Sequence, residues 1–169
     1  MKSKEYTKYL NQAKKVHMEQ KWVGDSLKWH IPAINKIIND HEVKTALDYG
    51  CGKAQFHPLE WSSFFTKYDP AYPLYEKKPT GKYDLVICTD VMEHIPEDSV
   101  DYIVNDLFSY AKKYLYVNIS TRLADQILPN GDNAHATVKP EKWWNEVFNK
   151  ISESYPGVSY EISYYDPKK

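Results

Sequence analysis

The stretch that decides the fold reads Leu47-Asp48-Tyr49-Gly50-Cys51-Gly52-Lys53-Ala54. Residues 44–49 have the composition of a short β-strand, and two glycines separated by one residue follow them directly. Because glycine lacks a Cβ atom, such a turn bends tightly and lets the backbone approach a ligand closely. We therefore expect a binding loop at the carboxyl end of this first strand.

Strand and helix patterns alternate along the rest of the chain. Apolar runs predict further strands at 64–68, 83–88, 114–119 and 158–165, and apolar residues at helical spacing predict helices at 4–20, 31–39, 97–113 and 141–151. This alternation favours an α/β domain with a mainly parallel sheet, whose last strand is antiparallel or lies at an edge. We expect a single domain over 1–169, in which helices in 1–40 form a lid or the substrate side of a core at 44–165.

An acidic residue, Asp69, ends the second predicted strand, 19 residues after Gly50. A carboxylate at this position can accept hydrogen bonds from both hydroxyls of a ribose. Together with the glycine turn it predicts a cofactor that contains a nucleoside. A dinucleotide is disfavoured, because Gln55 occupies the place of the third glycine in the pattern Gly-x-Gly-x-x-Gly.

Three parts of the chain carry a resemblance to the class I S-adenosylmethionine (SAM)-dependent methyltransferases. Residues 47–52 look like motif I of that family, Asp69 matches its ribose-binding acid, and 83–95 resemble its fourth strand and the following loop. The resemblance extends over 44–119 in the family's order. It implies SAM as the cofactor and a compact Rossmann-like sheet, mainly parallel, as the fold.

The resemblance also implies roles for individual residues. Asp48 would orient the methionine ammonium of the cofactor, and Asp69 would hold its ribose. Gly50 and Gly52 would let the methionine part lie against the backbone. The remaining residues implied to contact the cofactor are Cys51, Pro70, Asp90, Val91 and Met92.

Two features depart from the family's pattern. Ala54 replaces the usual third glycine of motif I, a change of one methyl group. Only residues 70–82 separate Asp69 from the next predicted strand, where the family fits a helix and a third strand with a polar contact to adenine. We therefore expect a shortened third-strand region, with adenine bound by the backbone and by apolar groups such as Pro70 and Tyr72.

Carboxylates and imidazoles follow the strand at 83–88 in the pattern Asp90-x-x-Glu93-His94, and His135 stands in the loop at 120–139. Three interpretations stay open. These side chains position the loop, or a histidine takes a proton from the acceptor during methyl transfer, or the group binds Mg²⁺ or Mn²⁺. Similar clusters bind metal in ubiquinone-pathway O-methyltransferases, and a later histidine completes the site in small-RNA 2′-O-methyltransferases. The catalytic candidates are Glu93, His94 and His135, and the metal-ligand candidates are these three and Asp90.

Charge and composition exclude several classes of function. The chain has 22 Lys+Arg against 23 Asp+Glu, and its single arginine is Arg122, so an obligate nucleic-acid or anionic-membrane binder is disfavoured. No apolar run approaches the length of about 20 residues that spans a bilayer, and the charged start at 1–5 does not resemble a secretory signal. Two cysteines, Cys51 and Cys88, are too few for a disulfide scaffold, so we expect reduced thiols in a cytoplasmic protein.

These observations predict an enzyme that transfers a methyl group from SAM to a hydroxyl or amine of a small molecule or sugar. The first alternative is a metal-assisted RNA 2′-O-methyltransferase, which the cluster at Asp90–His94 and the lysines of the first 28 residues favour. The second is a SAM-binding sensor or scaffold without turnover. The acceptor and the oligomeric state stay open at this level.

Overall fold

The computed structural model describes residues 3–19 and 24–165. In chain order the elements are α1 (Lys4–Met18), α2 (Leu27–Asp40), β1 (Ala46–Tyr49), β2 (Phe65–Tyr68), β3 (Tyr83–Thr89), α3 (Glu97–Tyr110), β4 (Ala111–Ser120), α4 (Glu141–Ser152) and β5 (Ser159–Tyr165). Short 3₁₀ helices occupy Leu59–Ser63, Pro73–Tyr75 and Met92–His94. Within the described ranges, no helix has the length and apolar character needed to cross a membrane.

The five strands form one sheet in the order β2-β1-β3-β4-β5, and every neighbouring pair is parallel. The predicted α/β fold with a Rossmann-like sheet is thereby confirmed. The antiparallel alternative for the last strand is wrong, although the strand does lie at an edge. Its direction follows from α4, because a helix between β4 and β5 provides the long crossover that parallel neighbours need.

The sheet ends at β2 on its other side, which confirms the shortened third-strand region. Between Asp69 and Tyr83 the described chain forms only the 3₁₀ turn at Pro73–Tyr75 and irregular segments. A hydrogen bond from the Asp69 amide to the Tyr75 carbonyl, at 3.0 Å, folds this segment back onto the end of β2.

Alternating side chains of the strands fill two cores, one on each face of the sheet. Leu85 and Ile87 of β3 pack with α2, whereas Val86 and Cys88 pack with α3 and α4. A strand that is buried on both faces has a continuous run of apolar residues. This is why the sequence of β3 and β4 indicates strands.

Two helix boundaries differ from the predicted ones by three residues or more. The second helix begins at Leu27 rather than Ile31, so Pro32 lies inside it; the buried face of Leu27, Ile34 and Ile37 holds the helix in spite of the lost backbone donor. The third helix ends at Tyr110 rather than residue 113, because Ala111 is already extended and pairs with Tyr83 in the sheet.

Candidate active site

A cavity of about 280 Å³ lies at the carboxyl ends of β1, β2 and β3. The chain passes from β1 to β2 on one side and then to β3 on the other, so this is the point at which the strand order reverses. Parallel α/β sheets bind ligands at such points, because the loops there diverge and leave a crevice. The predicted glycine turn, Asp69 and the loop after β3 all contribute to the cavity wall.

Gly50 forms the floor of the cavity next to the loop after β3. Its φ is +84°, and a Cβ atom at this position would lie 2.3 Å from Cγ2 of Val91. The amide nitrogen of Gly50 donates to the carbonyl of Tyr68 at 2.7 Å, which ties the turn to the end of β2. Glycine is therefore required here for two independent reasons, its backbone conformation and its close approach to Val91.

Ala54, the residue in place of the third glycine, is also in the left-handed region, with φ of +50°. We expect Ala54→Gly to stabilise the protein by about 0.5–1 kcal/mol, because the strain of an L-residue there, about 1–2 kcal/mol, outweighs the added freedom of glycine in the unfolded chain. Urea unfolding measures the change. The control is Ala33→Gly in α2, which should destabilise by about 1 kcal/mol, and the same sign for both variants would contradict the prediction.

Asp69 is buried at the end of β2 and organises the turn. Its Oδ2 accepts from the amide of Gly52 at 2.8 Å, and its Oδ1 accepts from the amide of Ala71 at 2.7 Å. Burial raises the pKa of this carboxyl. The nearby His17 and the two amide donors lower it, but their effect is smaller than that of burial. Each carboxylate oxygen has a second acceptor site, so both can still receive a hydroxyl from the cavity.

Asp48 is buried beneath the turn and has a partner that the sequence did not reveal. Nε2 of His57 lies 2.6 Å from its Oδ2, and both side chains are almost fully buried. His57 precedes Pro58 in an irregular segment. Neither helical nor strand periodicity could have indicated its direction, so only the tertiary structure identifies this pair.

Helix α1 covers the cavity from above. Ser3 caps the helix through a hydrogen bond from the Tyr6 amide to its Oγ, at 2.9 Å. Tyr6, Tyr9, Ala13 and His17 line the cavity from one face of the helix. Cε1 of His17 lies 3.6 Å from the position of a Cβ on Gly52, so the helix lies directly against the glycine turn. The apolar periodicity of residues 4–20 predicted the helix, and its role as a lid or as the substrate side stays a prediction.

The structure brings Glu93, His94 and His135 together, whereas Asp90 lies outside this group. One ligand atom from each of the three residues lies within 4.8 Å of the others, and the two imidazole rings meet edge to face at 4.8 Å. Oε1 of Glu93 accepts from the Ser120 amide at 3.0 Å. Its Oε2 is buried and has no hydrogen-bond partner among the described residues.

Both histidines hold defined tautomers. Nδ1 of His94 lies 2.7 Å from the Ala134 carbonyl, and Nδ1 of His135 lies 2.6 Å from the Arg122 carbonyl. A carbonyl only accepts, so each Nδ1 carries the proton and each neutral ring has its lone pair on Nε2. Burial lowers the pKa of His94 to about 4 and also lowers the pKa of His135. Burial, followed by repulsion from Asp90, raises the pKa of Glu93 well above its ordinary value.

We expect His94 to make the protein less stable in acid. Its pKa is about 4 in the folded state and about 6.5 in the unfolded chain, so the unfolded state binds more protons between these values and stability falls as pH drops through this window. Unfolding in EDTA at pH 7 and pH 5 should show a loss about 1–2 kcal/mol larger for the wild type than for His94→Asn. Parallel losses in the two proteins would show that His94 does not titrate in this way.

A second cavity of about 410 Å³ lies beside α1. Its walls come from Glu5, Lys8, Tyr9 and Gln12 of α1, the start of α3 and the loop at 128–136. Tyr9 lines both cavities, while His94 lines the first and His135 lines the second. The ring contact between His94 and His135 therefore joins the walls of the two cavities, while Glu93 lines neither of them.

Most of the predicted cofactor residues line the first cavity, namely Asp48, Gly50, Cys51, Gly52, Asp69, Pro70, Asp90 and Val91. Met92 is completely buried in the core and is not part of this wall. Asp90 has a φ of +52°, and its backbone amide donates to Asn118 at 3.2 Å. Strained backbone of this kind concentrates at functional sites. Sequence reasoning missed Tyr6, Tyr9, Ala13, His17 and Phe56 as cavity residues.

Comparison with known proteins gives two similarities. A family model described as a methyltransferase domain matches residues 31–161. The magnesium protoporphyrin IX methyltransferase, chloroplastic, of Arabidopsis thaliana is 28% identical over 80 residues. The aligned part is 47% of this chain and 20% of that protein, so the chain spans about a fifth of the length of this curated relative. No solved structure matches the chain at comparable significance.

Proposed function

Because the chain belongs to the methyltransferase domain family, we propose that it transfers a methyl group from SAM to a hydroxyl or amine of a small molecule or sugar. The observation that carries the proposal is the cavity at the reversal point of the sheet, which contains the glycine turn and Asp69 and is covered by α1. Together these features suit a ligand that has a ribose and a charged methionine part.

The residues of the cavity fit this cofactor. A Cβ on Gly50 would overlap Val91, so glycine lets the loop after β3 pack against the turn, and both line the cavity. Asp69 offers acceptor sites for ribose hydroxyls, and the Asp48 carboxylate lies below the turn, where it would attract the methionine ammonium. Pro70, Ala71 and Phe56 supply apolar surface for the adenine in the absence of a third strand.

SAM, when bound, supplies an activated methyl group on its sulfonium. The protein's part is to hold donor and acceptor in line and to exclude water, and proximity of this kind accounts for much of the acceleration in such reactions. Helix α1 shields the cavity from solvent. His94 lines the first cavity and His135 lines the second, and the neutral Nε2 atom of either ring would receive a proton from an acceptor hydroxyl or amine. These catalytic roles are part of the proposal.

A second candidate, metal-assisted methyl transfer, is favoured by the Glu93–His94–His135 group. The orphaned Oε2 of Glu93 and the two fixed imidazoles form a ligand set, and the backbone carbonyls that fix the imidazoles are the outer partners typical of metal-bound histidines. Two imidazoles and one carboxylate suit Mn²⁺ better than Mg²⁺. An ion held there would polarise an acceptor hydroxyl, the chemistry that RNA 2′-O-methylation would use.

If this group binds metal, His135→Ala should weaken Mn²⁺ binding roughly 100-fold or more, because a three-residue site loses one ligand. Calorimetric titration with Mn²⁺ measures the change, and binding of S-adenosylhomocysteine should be unaffected. The control is His41→Ala, at the exposed end of α2, which should behave like the wild type. Absence of a Mn²⁺ signal in the wild-type protein, together with turnover that ignores EDTA, would remove the metal candidate.

Calorimetric titration with S-adenosylhomocysteine is the direct test of the proposed function. Binding in the micromolar range supports the cofactor assignment, and a protein that does not bind it contradicts the proposal. Release of S-adenosylhomocysteine from SAM, with a panel of hydroxyl and amine acceptors, then separates an enzyme from a SAM-binding sensor or scaffold. The sensor predicts tight binding without turnover for every acceptor.

We also propose a cytoplasmic location. Both cysteines, Cys51 and Cys88, are free thiols, the form that a reducing compartment maintains. Fractionation of cells that express the tagged protein tests this assignment.

A further inference from the structure

We propose that the second cavity binds the methyl acceptor and that the acceptor carries a protonated amine. The inference rests on the proposed function and specifies its acceptor. It follows from three observations on the described residues: Tyr9 lines both this cavity and the cofactor cavity, a buried acceptor of the wall lacks a donor, and two carboxylates of the wall lack a cationic partner.

The second cavity is lined by more carboxylates than have cationic partners among the described residues. Glu5 pairs with Lys8 at 3.7 Å, and Glu97 pairs with Lys139 at 2.9 Å, so these two carboxylates have cationic partners. Asp98 and Asp132 also line the cavity, and within the described part of the chain neither forms an ion pair. Asp98 accepts only from the hydroxyls of Ser3 and Ser99, and Asp132 contacts Asn130.

The inner wall adds a hydrogen-bond acceptor. Oε1 of Gln12, on the cavity side of α1, is buried without a partner among the described residues. Buried acceptors that lack donors cost free energy, and a ligand that supplies donors recovers it.

An ammonium group fits this wall because it is a donor without an acceptor site and carries positive charge. A phosphate has the opposite properties, since it offers acceptors and adds negative charge. The same argument disfavours an RNA backbone at this cavity, and the volume of about 410 Å³ matches a small molecule. The methylated atom is then a second polar group of the acceptor, at the inner end near His94 and His135.

The test compares two probes of equal length, 1,5-diaminopentane and 1,5-pentanediol, titrated into the protein saturated with S-adenosylhomocysteine. We expect the diamine to bind more tightly than the diol. The double variant Asp98→Asn/Asp132→Asn should weaken diamine binding about tenfold and leave the diol unchanged, since two exposed ion pairs are lost. The matched control is Asp125→Asn, an exposed carboxylate of the same long loop that does not line the cavity.

Each other outcome overturns the inference. Equal affinity for diamine and diol, no diamine binding, or an unchanged affinity in the double variant would show that the cavity does not select a cation. Tighter binding of a short single-stranded RNA than of the diamine would favour the RNA acceptor instead. These failures are separable from failure of the proposed function, because the latter appears as loss of S-adenosylhomocysteine binding in the wild-type protein. Thermal melting of the variants confirms that they fold.

Discussion

Gly50→Ala is expected to destabilise the protein by about 3 kcal/mol and to abolish binding of S-adenosylhomocysteine. An alanine at φ of +84° costs about 1–2 kcal/mol, and its Cβ would lie 2.3 Å from Cγ2 of Val91. Such overpacking adds about 1–3 kcal/mol. The turn and the loop after β3 must separate to relieve the contact, and both are walls of the proposed cofactor cavity. Urea unfolding and calorimetric titration measure the two effects.

Gly131→Ala is the matched control for this variant. Gly131 has nearly the same φ, +89°, and a Cβ there has no neighbour within 4 Å. The stability that Gly131→Ala loses should therefore be limited to the conformational cost of about 1–2 kcal/mol. Adding Val91→Ala to Gly50→Ala should recover the part that is due to the contact. Equal losses at positions 50 and 131 would show that the close approach to Val91 has no energetic consequence.

Asp69→Ala is expected to weaken binding of S-adenosylhomocysteine by more than about 100-fold. Each charge-assisted hydrogen bond to a ribose hydroxyl contributes about 1.5–3 kcal/mol, and two are lost. The amides of Gly52 and Ala71 also lose their acceptor, so the glycine turn is no longer held against the end of β2. Calorimetric titration measures the affinity, and a modest decrease in thermal stability should accompany the loss.

Asp69→Asn separates the charge from the shape of the side chain. It keeps one oxygen to accept hydrogen bonds but lacks the negative charge, so its affinity should lie between those of the wild type and Asp69→Ala. An affinity that is unchanged in Asp69→Ala would mean that the ribose is held elsewhere. The assignment of the first cavity to the cofactor would then be wrong.

The fold could be predicted from the sequence because the patterns that indicate it are local. Alternation of strand and helix patterns depends on neighbouring residues, and the same is true of the glycine turn at Gly50 and of the acid at the end of the next strand. The predicted ends of two helices differ from the observed ones at Leu27 and Tyr110, because tertiary burial and sheet pairing determine where these helices begin and end. The direction of β5 could not be read from its alternating pattern, since parallel and antiparallel edge strands share it.

The candidate site was only partly visible in the sequence. The pattern Asp90-x-x-Glu93-His94 identified the loop after β3. The close spacing in the sequence did not show that Asp90 would lie apart from Glu93 and His94. His135 was named as a candidate, yet its edge-to-face contact with His94 depends on how the long loop returns to the sheet.

What the sequence by itself determined is the α/β fold, its shortened edge and the glycine turn with Asp69, because each depends on short local patterns and on their order along the chain. Only the tertiary structure decided that α1 lies over the first cavity, that His57 meets Asp48, and that a second cavity with unpaired carboxylates lies beside the first. These relations join distant segments through packing, and packing depends on the whole set of contacts rather than on a local pattern.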